Sequence, residues 1–310
     1  MRQTAYLTHP SFLLHDMGQY HPESPARIRV IEDQLIAQRL ADFLHKADVP
    51  AATVQQLARV HQQRYIDEIF EMAPRQGSVH LDPDTSMNPH SLDAALHAAG
   101  AVIKAVDLVL SGEVRNAFCA VRPPGHHAER ARATGFCFFN NVAVGAAHAL
   151  ARHGLERVAI LDFDVHHGNG TEDIFARNSS VLYCSAYQYP FYPFPEPALA
   201  APNVIHCPLQ AGSDGTALRQ AVNDAWLPAL RDFQPQLLLL SAGFDGHRLD
   251  PLADLNWSED DFQWVTAQLV SHADEQCDGR IVSTLEGGYD LNALARSACI
   301  HVKTLMGLSQ

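Results

Sequence analysis

Short apolar runs alternate along this chain with longer stretches of helical period. Runs over 4–7, 117–121, 158–163, 181–185, 237–241 and 281–285 are rich in Val, Ile and Leu and are bounded by polar or Gly-containing turns, so they read as strands. Stretches 28–40, 61–72, 91–110, 141–153, 217–233 and 258–274 space their apolar residues three and four apart and read as helices. Local signals sharpen two of them: Pro25 stands where the first helix can start, and Ser111-Gly112 follows the Ala-rich 91–110 as a stop. Strand and helix in alternation predict an α/β architecture, a mainly parallel sheet with helices on both faces. No internal repeat, low-complexity tract or linker divides the chain, so 1–310 is expected to be a single domain.

Polar residues interrupt the apolar pattern at the ends of four of these strands. After 117–121 comes Arg122-Pro123-Pro124-Gly125-His126-His127-Ala128; after 158–163 come Asp164 and His166; after 237–240 comes Ser241-Ala242-Gly243-Phe244-Asp245; after 281–285 comes Glu286-Gly287-Gly288-Tyr289. In a parallel sheet all four loops leave at the same edge, where such folds bind ligands. Asp162, Asp164 and His166 share one side of an extended chain by the period of two, and burying them together demands a positive partner. A polar loop satisfying its own turn is the plainer reading of this stretch. Two carboxylates two residues apart repel each other, and that favours a metal ion.

Asp164, His166 and Asp245 would supply three ligands and leave a position open, as in a catalytic site; carboxylate and imidazole donors accept zinc and also iron(II). Two carboxylates cancel a dication's charge, so bound water is acidified less and a base is needed beside it. His126 and His127 can supply it, with Asp162 and Asn169 placed to orient their rings. Tyr289 would donate its hydroxyl to an oxyanion. Together these groups describe metal-assisted hydrolysis of an amide or ester.

Composition narrows the partners. The chain has 310 residues, 47% hydrophobic and 18% charged, enough for a large core. A net charge of −13 leaves no surplus of Lys and Arg for phosphates, which excludes a general nucleic-acid binder and gives weak steering of cations. Six scattered cysteines without a C-x-x-C pair predict buried, reduced thiols and a cytoplasmic protein. No apolar run is of membrane-spanning length, so no membrane partner is expected. Local sequence reads Arg27 as a solvated charge, and the acids of 81–89, including Asp82 and Asp84, as caps of turns and helices in preference to groups facing a substrate.

The segments 122–128, 135–141 (Gly-Phe-Cys-Phe-Phe-Asn-Asn), 162–171 (Asp-Phe-Asp-Val-His-His-Gly-Asn-Gly-Thr), 241–245 and 286–289 resemble the histone deacetylase superfamily. The resemblance extends from His21-Pro22-Glu23 to Tyr289 and is nearest the class II and bacterial deacetylase-like branch, which includes acetylpolyamine amidohydrolases. It implies the arginase/deacetylase fold and a zinc-dependent amidohydrolase acting on an acyl-lysine or a small-molecule acyl amine. Asp164, His166 and Asp245 match the zinc ligands, and Tyr289 matches the catalytic tyrosine. His126 matches the histidine paired with Asp162; His127, the general base and acid, pairs with Asn169, where class I relatives carry Asp. Phe136 and Tyr192 match the walls of an acyl-lysine tunnel, and Gly135 the carbonyl that meets the substrate amide. Arg27 matches an inward arginine, against its local reading. Structural potassium is implied at Asp162, Asp164, His166, Ser185 and Ala186, with a second ion near Phe175, Asn178 and Val181.

Three departures concern the mouth of the site. The loop Tyr192-Pro193-Phe194-Pro195-Glu196-Pro197 is stiffer and more aromatic than the glycine-containing loop of relatives, and Tyr187 stands where they have His. Leu252 falls where polyamine-selective relatives place a gatekeeping Glu, which favours acyl-lysine or uncharged substrates. Acetylpolyamine hydrolysis and non-catalytic binding of acyl-lysine are the competing functions; a ureohydrolase would need ligands for two metals.

Overall fold

A computed structural model describes residues 2–194 and 201–308. Seven parallel strands form its main sheet: β1 Thr4–Leu7, β2 Asn116–Cys119, β3 Val158–Asp162, β4 Val181–Gln188, β5 Val204–Leu209, β6 Leu237–Ala242 and β7 Ile281–Leu285. Their spatial order is β1-β2-β7-β6-β3-β4-β5. The runs at 158–163 and 181–185 formed strands because both faces are covered; every residue of β3, β4, β6 and β7 is buried. Each of Leu237, Leu238, Leu239 and Leu240, fully buried, is worth about 1.5–3 kcal/mol in transfer terms.

Adjacent residues of β2 show the two layers. The Cys119 thiol lies 3.5 Å from the Ala101 carbonyl of helix Ser91–Leu110, whereas the Phe118 ring packs at 5.5 Å against His301 of helix Leu291–Leu305. On the first face Ser91–Leu110 packs with Asn141–His153; on the second, Leu291–Leu305 lies between Ala26–Ala37 and Glu259–Gln276. Asn141–His153 is closed at both ends: the Asn140 side chain accepts the Ala143 N–H, and Gly154 takes the left-handed conformation.

The stretch 217–233 is broken into Gly215–Ala221 and Leu227–Phe233 by a π-helical turn over Val222–Trp226. Besides short pieces such as Val54–Leu57 and the ribbon of Val79–His80 with Ser86–Met87, one strand and two helices escaped the pattern reading. β5 sits on the sheet edge with partly exposed Ile205 and His206, so it carries no continuous apolar run. Asn169–Phe175 begins inside the Gly-Asn-Gly segment, and Leu291–Leu305 opens on an Asp290 cap close behind a loop. All six cysteines are buried and unpaired, as expected. Among the described residues no helix is long and apolar enough to cross a membrane.

Candidate active site

The four polar loops leave β2, β7, β6 and β3, four consecutive neighbours in the sheet, so the topology brings them to one edge. There His166 Nδ1 lies 3.0 Å from Asp164 Oδ1 and 3.1 Å from Asp245 Oδ2. One donor atom from each of the three lies within 4.8 Å of the others, and all three residues are buried. Backbone amides hold the carboxylates: Gly287 N–H donates to Asp164 Oδ2 at 2.7 Å, and Val165 N–H to Asp245 Oδ1 at 3.0 Å. Gly287 is obligatory here, because a Cβ would stand 2.0 Å from Asp245 Oδ2.

Burial alone would lower the His166 imidazole, but Asp164 and Asp245 raise it to about 10. Burial and the Asp164 charge push the Asp245 carboxyl up, while His126 and His166 overcome burial and hold Asp164 low. Two carboxylates and one imidazole gathered here are a donor set that fits a divalent cation.

The tandem histidines stand with ring centroids 4.1 Å apart. His126 Nδ1 is 2.9 Å from Asp162 Oδ2, which also accepts the Tyr183 hydroxyl at 3.0 Å; His127 Nδ1 is 2.8 Å from Asn169 Oδ1. Their environments drive them apart. Asp162 and Asp164 overcome burial and raise His126 to about 10, whereas burial, then the charges of His126 and His166, lower His127 well below the usual imidazole range. The surroundings thus favour the charged form at His126 and the neutral form at His127.

His127, His166 and Tyr289 line a cavity of about 280 Å³, together with Gly135, Phe136, Tyr192 and Leu252. Gly135 has φ +56°, and a Cβ there would meet His127 Cδ2 at 2.5 Å, so the base and the adjoining wall can approach only through glycine. The Phe136 and Tyr289 rings meet edge to face at 5.9 Å, and the Tyr192 ring lies 5.2 Å from His127. Burial raises the Tyr289 hydroxyl well above its usual range against the pull of Arg27, which keeps it a donor. Arg27 itself is fully buried: its Nε donates to the Gly288 carbonyl at 2.7 Å and its guanidinium lies 5.0 Å from the Tyr289 ring centroid. Arg27 is therefore inward, as the family resemblance implies, and the solvated reading of the local sequence is corrected; nothing in the helix-start sequence betrays the distant loop that claims it.

Two lining residues were missed. Asp82 does cap a turn, accepting the N–H groups of Asp84 at 3.0 Å and Thr85 at 2.6 Å, but Asp84 lines the cavity. Phe191 stacks on His166 at 5.5 Å beside Tyr192, a pairing its position next to Tyr192-Pro193 could have signalled. Phe194 is exposed; Pro195, Glu196 and Pro197 lie outside the described residues. A larger groove of about 460 Å³ past Leu182, Ile205 and Phe233 shares no residue with this site.

The expected potassium residues divide. β3 and β4 pair Asp162 with Ser185, so Asp162, Asp164, His166, Ser185 and Ala186 come from adjoining strand ends. At the second group a protein donor is also in reach. The carbonyls of Phe175, Asn178 and Val181 converge on Asn203 Nδ2 at 2.8, 3.2 and 2.9 Å, and Arg177 N–H donates to Asn203 Oδ1 at 3.0 Å, which fixes the amide that way round. Asn203 thus lies beside the three carbonyls named for the second ion.

A parallel sheet that gathers a carboxylate–imidazole–carboxylate set, split histidines and a buried tyrosine at one edge is the arginase/deacetylase fold, and the class is that of hydrolytic enzymes. The sequence matches the description "Histone deacetylase domain" over residues 21–305, and the chain belongs to the histone deacetylase family. It is 39% identical over 279 residues to a histone deacetylase-like amidohydrolase of Pseudomonas aeruginosa, covering 87% of this chain and 72% of that protein. It is 36% identical to the polyamine deacetylase HDAC10 of Mus musculus, over 95% of this chain and 46% of the relative. The crystal structure of the HDA15 HD domain superposes with a TM-score of 0.93 at 33% identity, covering 99% of this chain and 88% of that one.

Proposed function

We propose that this chain is a zinc-dependent amidohydrolase that removes an acyl group, most simply acetyl, from a lysine side chain or a similar amine. The observation that carries this reading is the meeting of a neutral His127, a donor Tyr289 and the Asp164–His166–Asp245 set on one aromatic-walled cavity. Zinc held by those three residues would supply Lewis acidity toward the acyl oxygen and the attacking water. Phe136 and Tyr192 face a slot suited to an aliphatic stem. His127 takes a proton from water through Nε2 as the oxygen attacks the acyl carbon. Tyr289 donates its hydroxyl hydrogen bond to the oxyanion that develops. His127 then returns the proton to the amide nitrogen, the C–N bond breaks, and amine and carboxylic acid leave. A structural potassium ion at Asp162, Asp164, His166, Ser185 and Ala186 would stiffen the strand ends that carry the ligands.

A second reading, hydrolysis of acetylpolyamines, is favoured by the Asp84 carboxylate on the cavity wall and opposed by Leu252. The deciding measurement is kcat/KM of the zinc-loaded protein on an acetyl-lysine peptide, longer acyl-lysine peptides, and acetylated spermidine and putrescine. We expect the peptides to lead. A lead for polyamines would transfer the conclusion to the second reading, and no turnover on any of them would leave only an acyl-lysine binder. Chelation should abolish turnover, with zinc restoring it; restoration by iron(II) alone would overturn the choice of metal.

A further inference from the structure

We propose that Glu129 is a positioning residue for the proton transfer, fixing the tautomer of His127 through the side-chain amide of Asn169; this rests on the hydrolase reading above. A neutral imidazole can act as base through Nε2 only if its single hydrogen sits on Nδ1. His127 Nδ1 faces Asn169 Oδ1 at 2.8 Å. An amide has two ends of nearly equal shape, so what faces the ring is decided by what holds the other end. Asn169 Nδ2 donates to Glu129 Oε1 at 2.7 Å, and among the described residues its one other acceptor in reach, the His127 carbonyl, is at a long 3.5 Å. A carboxylate only accepts; the NH2 end must therefore face Glu129, the oxygen must face His127, and His127 must carry its hydrogen on Nδ1. Turned the other way, Asn169 would set Oδ1 against the Glu129 carboxylate and present N–H to Nδ1. The hydrogen would then move to Nε2 and block the base.

Glu129 is itself held. Arg132 Nη2 donates to the same Oε1 at 2.8 Å, Glu129 N–H donates to the Arg132 carbonyl at 2.9 Å, and the Glu129 carbonyl lies 2.9 Å from His61 Nδ1. The chain Glu129–Asn169–His127 is a relay of orientation, and no proton passes along it. A carboxylate in place of Asn169 would present oxygen to the ring either way round and would need no such relay.

The test is a double-mutant cycle on the zinc-loaded protein, using whichever substrate of the panel turns over fastest. Glu129→Ala should lower kcat about ten-fold with KM nearly unchanged. In an Asn169→Asp background the same substitution should leave kcat unchanged or raise it, because the carboxylate pair is relieved. Equal losses in both backgrounds, or a rise in KM alone, would overturn the proposal. A second measurement needs no turnover: nitrogen NMR of the His127 ring should show hydrogen on Nδ1 in the parent protein and a mixture of tautomers in Glu129→Ala. An unaltered tautomer in the variant would sink the role of Glu129 even if the hydrolase reading stands, and absent turnover with a shifted tautomer would sink only that reading.

Discussion

The Asp250 carboxylate accepts the backbone N–H of Tyr289 at 2.6 Å. The same oxygen accepts Asp290 N–H at 3.2 Å, and the other oxygen accepts Leu252 N–H at 3.0 Å. One buried acid thus clamps together the loop that presents the oxyanion donor and the loop that carries a residue of the cavity wall. Asp250→Asn leaves one accepting oxygen and turns an NH2 group toward the remaining donors. We expect kcat to fall about ten-fold while bound metal stays constant, since a small displacement of a donor is felt fully at the transition state. Unchanged kcat would show that Tyr289 is held well enough by its other contacts.

Ionisation of this clamp works against stability. Burial, then the Asp245 charge, raise the Asp250 carboxyl from 3.8 to about 7, against the pull of the three N–H groups. A folded-state pKa above the unfolded one means that the stabilisation is complete below about pH 4 and is lost as pH rises through about 7. Melting curves of chelated protein from acidic to alkaline pH should therefore fall more steeply for the parent than for Asp250→Asn. Restoring the metal should flatten the parent curve, because it neutralises Asp245. Parallel curves for the two chelated proteins would contradict the assignment.

Tyr289→Phe removes one hydroxyl and leaves the ring packed on Phe136 and under Arg27. Folding and metal content should be those of the parent, and turnover should drop roughly 10²–10³-fold with little change in KM, the usual cost of losing one oxyanion donor. A rise in KM with kcat intact would recast Tyr289 as a binding residue.

What the sequence discloses and what it hides follow from the range of the interactions. Strand runs and their polar ends are local, so β3, β6 and β7 and the ligands behind them could be read directly, and the parallel topology supplied their convergence. Arg27 and Asp250 are hidden from the local sequence because their roles depend on partners far along the chain: Arg27 meets Gly288, and Asp250 meets Tyr289. Asn203 is hidden for a different reason. Phe175, Asn178 and Val181 are positions where the family resemblance implies an ion, and nothing local shows that the Asn203 side chain, just before the edge strand, donates to their carbonyls.

Leu252 lines the cavity that Asp84 also reaches. Leu252→Glu would put a second carboxylate on the same mouth, attracting a polyamine's distal ammonium and offering nothing to an uncharged peptide backbone. The ratio of kcat/KM for N-acetylspermidine over an acetyl-lysine peptide should rise about ten-fold or more, most clearly at low salt. A ratio that does not move would remove Leu252 from the specificity argument and shift attention to Asp84.

The Asn203 amide donates toward carbonyls that the family resemblance assigns to a cation, and one substitution turns that donor into an acceptor. In Asn203→Asp a carboxylate oxygen would face the carbonyls of Phe175, Asn178 and Val181, where the parent holds an NH2 group at 2.8, 3.2 and 2.9 Å. Oxygen against three carbonyl oxygens is repulsive unless a positive charge enters between them. The variant should melt about 5 °C below the parent in tetramethylammonium chloride and recover most of that difference in potassium chloride at equal ionic strength. The parent should respond less to the exchange, because its Asn203 amide already donates two hydrogens among those carbonyls. If parent and variant gain equally from potassium, the three carbonyls are not the place where the ion acts, and Asn203 would be only one more buried amide. A gain confined to the variant would establish that this chain has closed one of the two potassium positions its family resemblance implies.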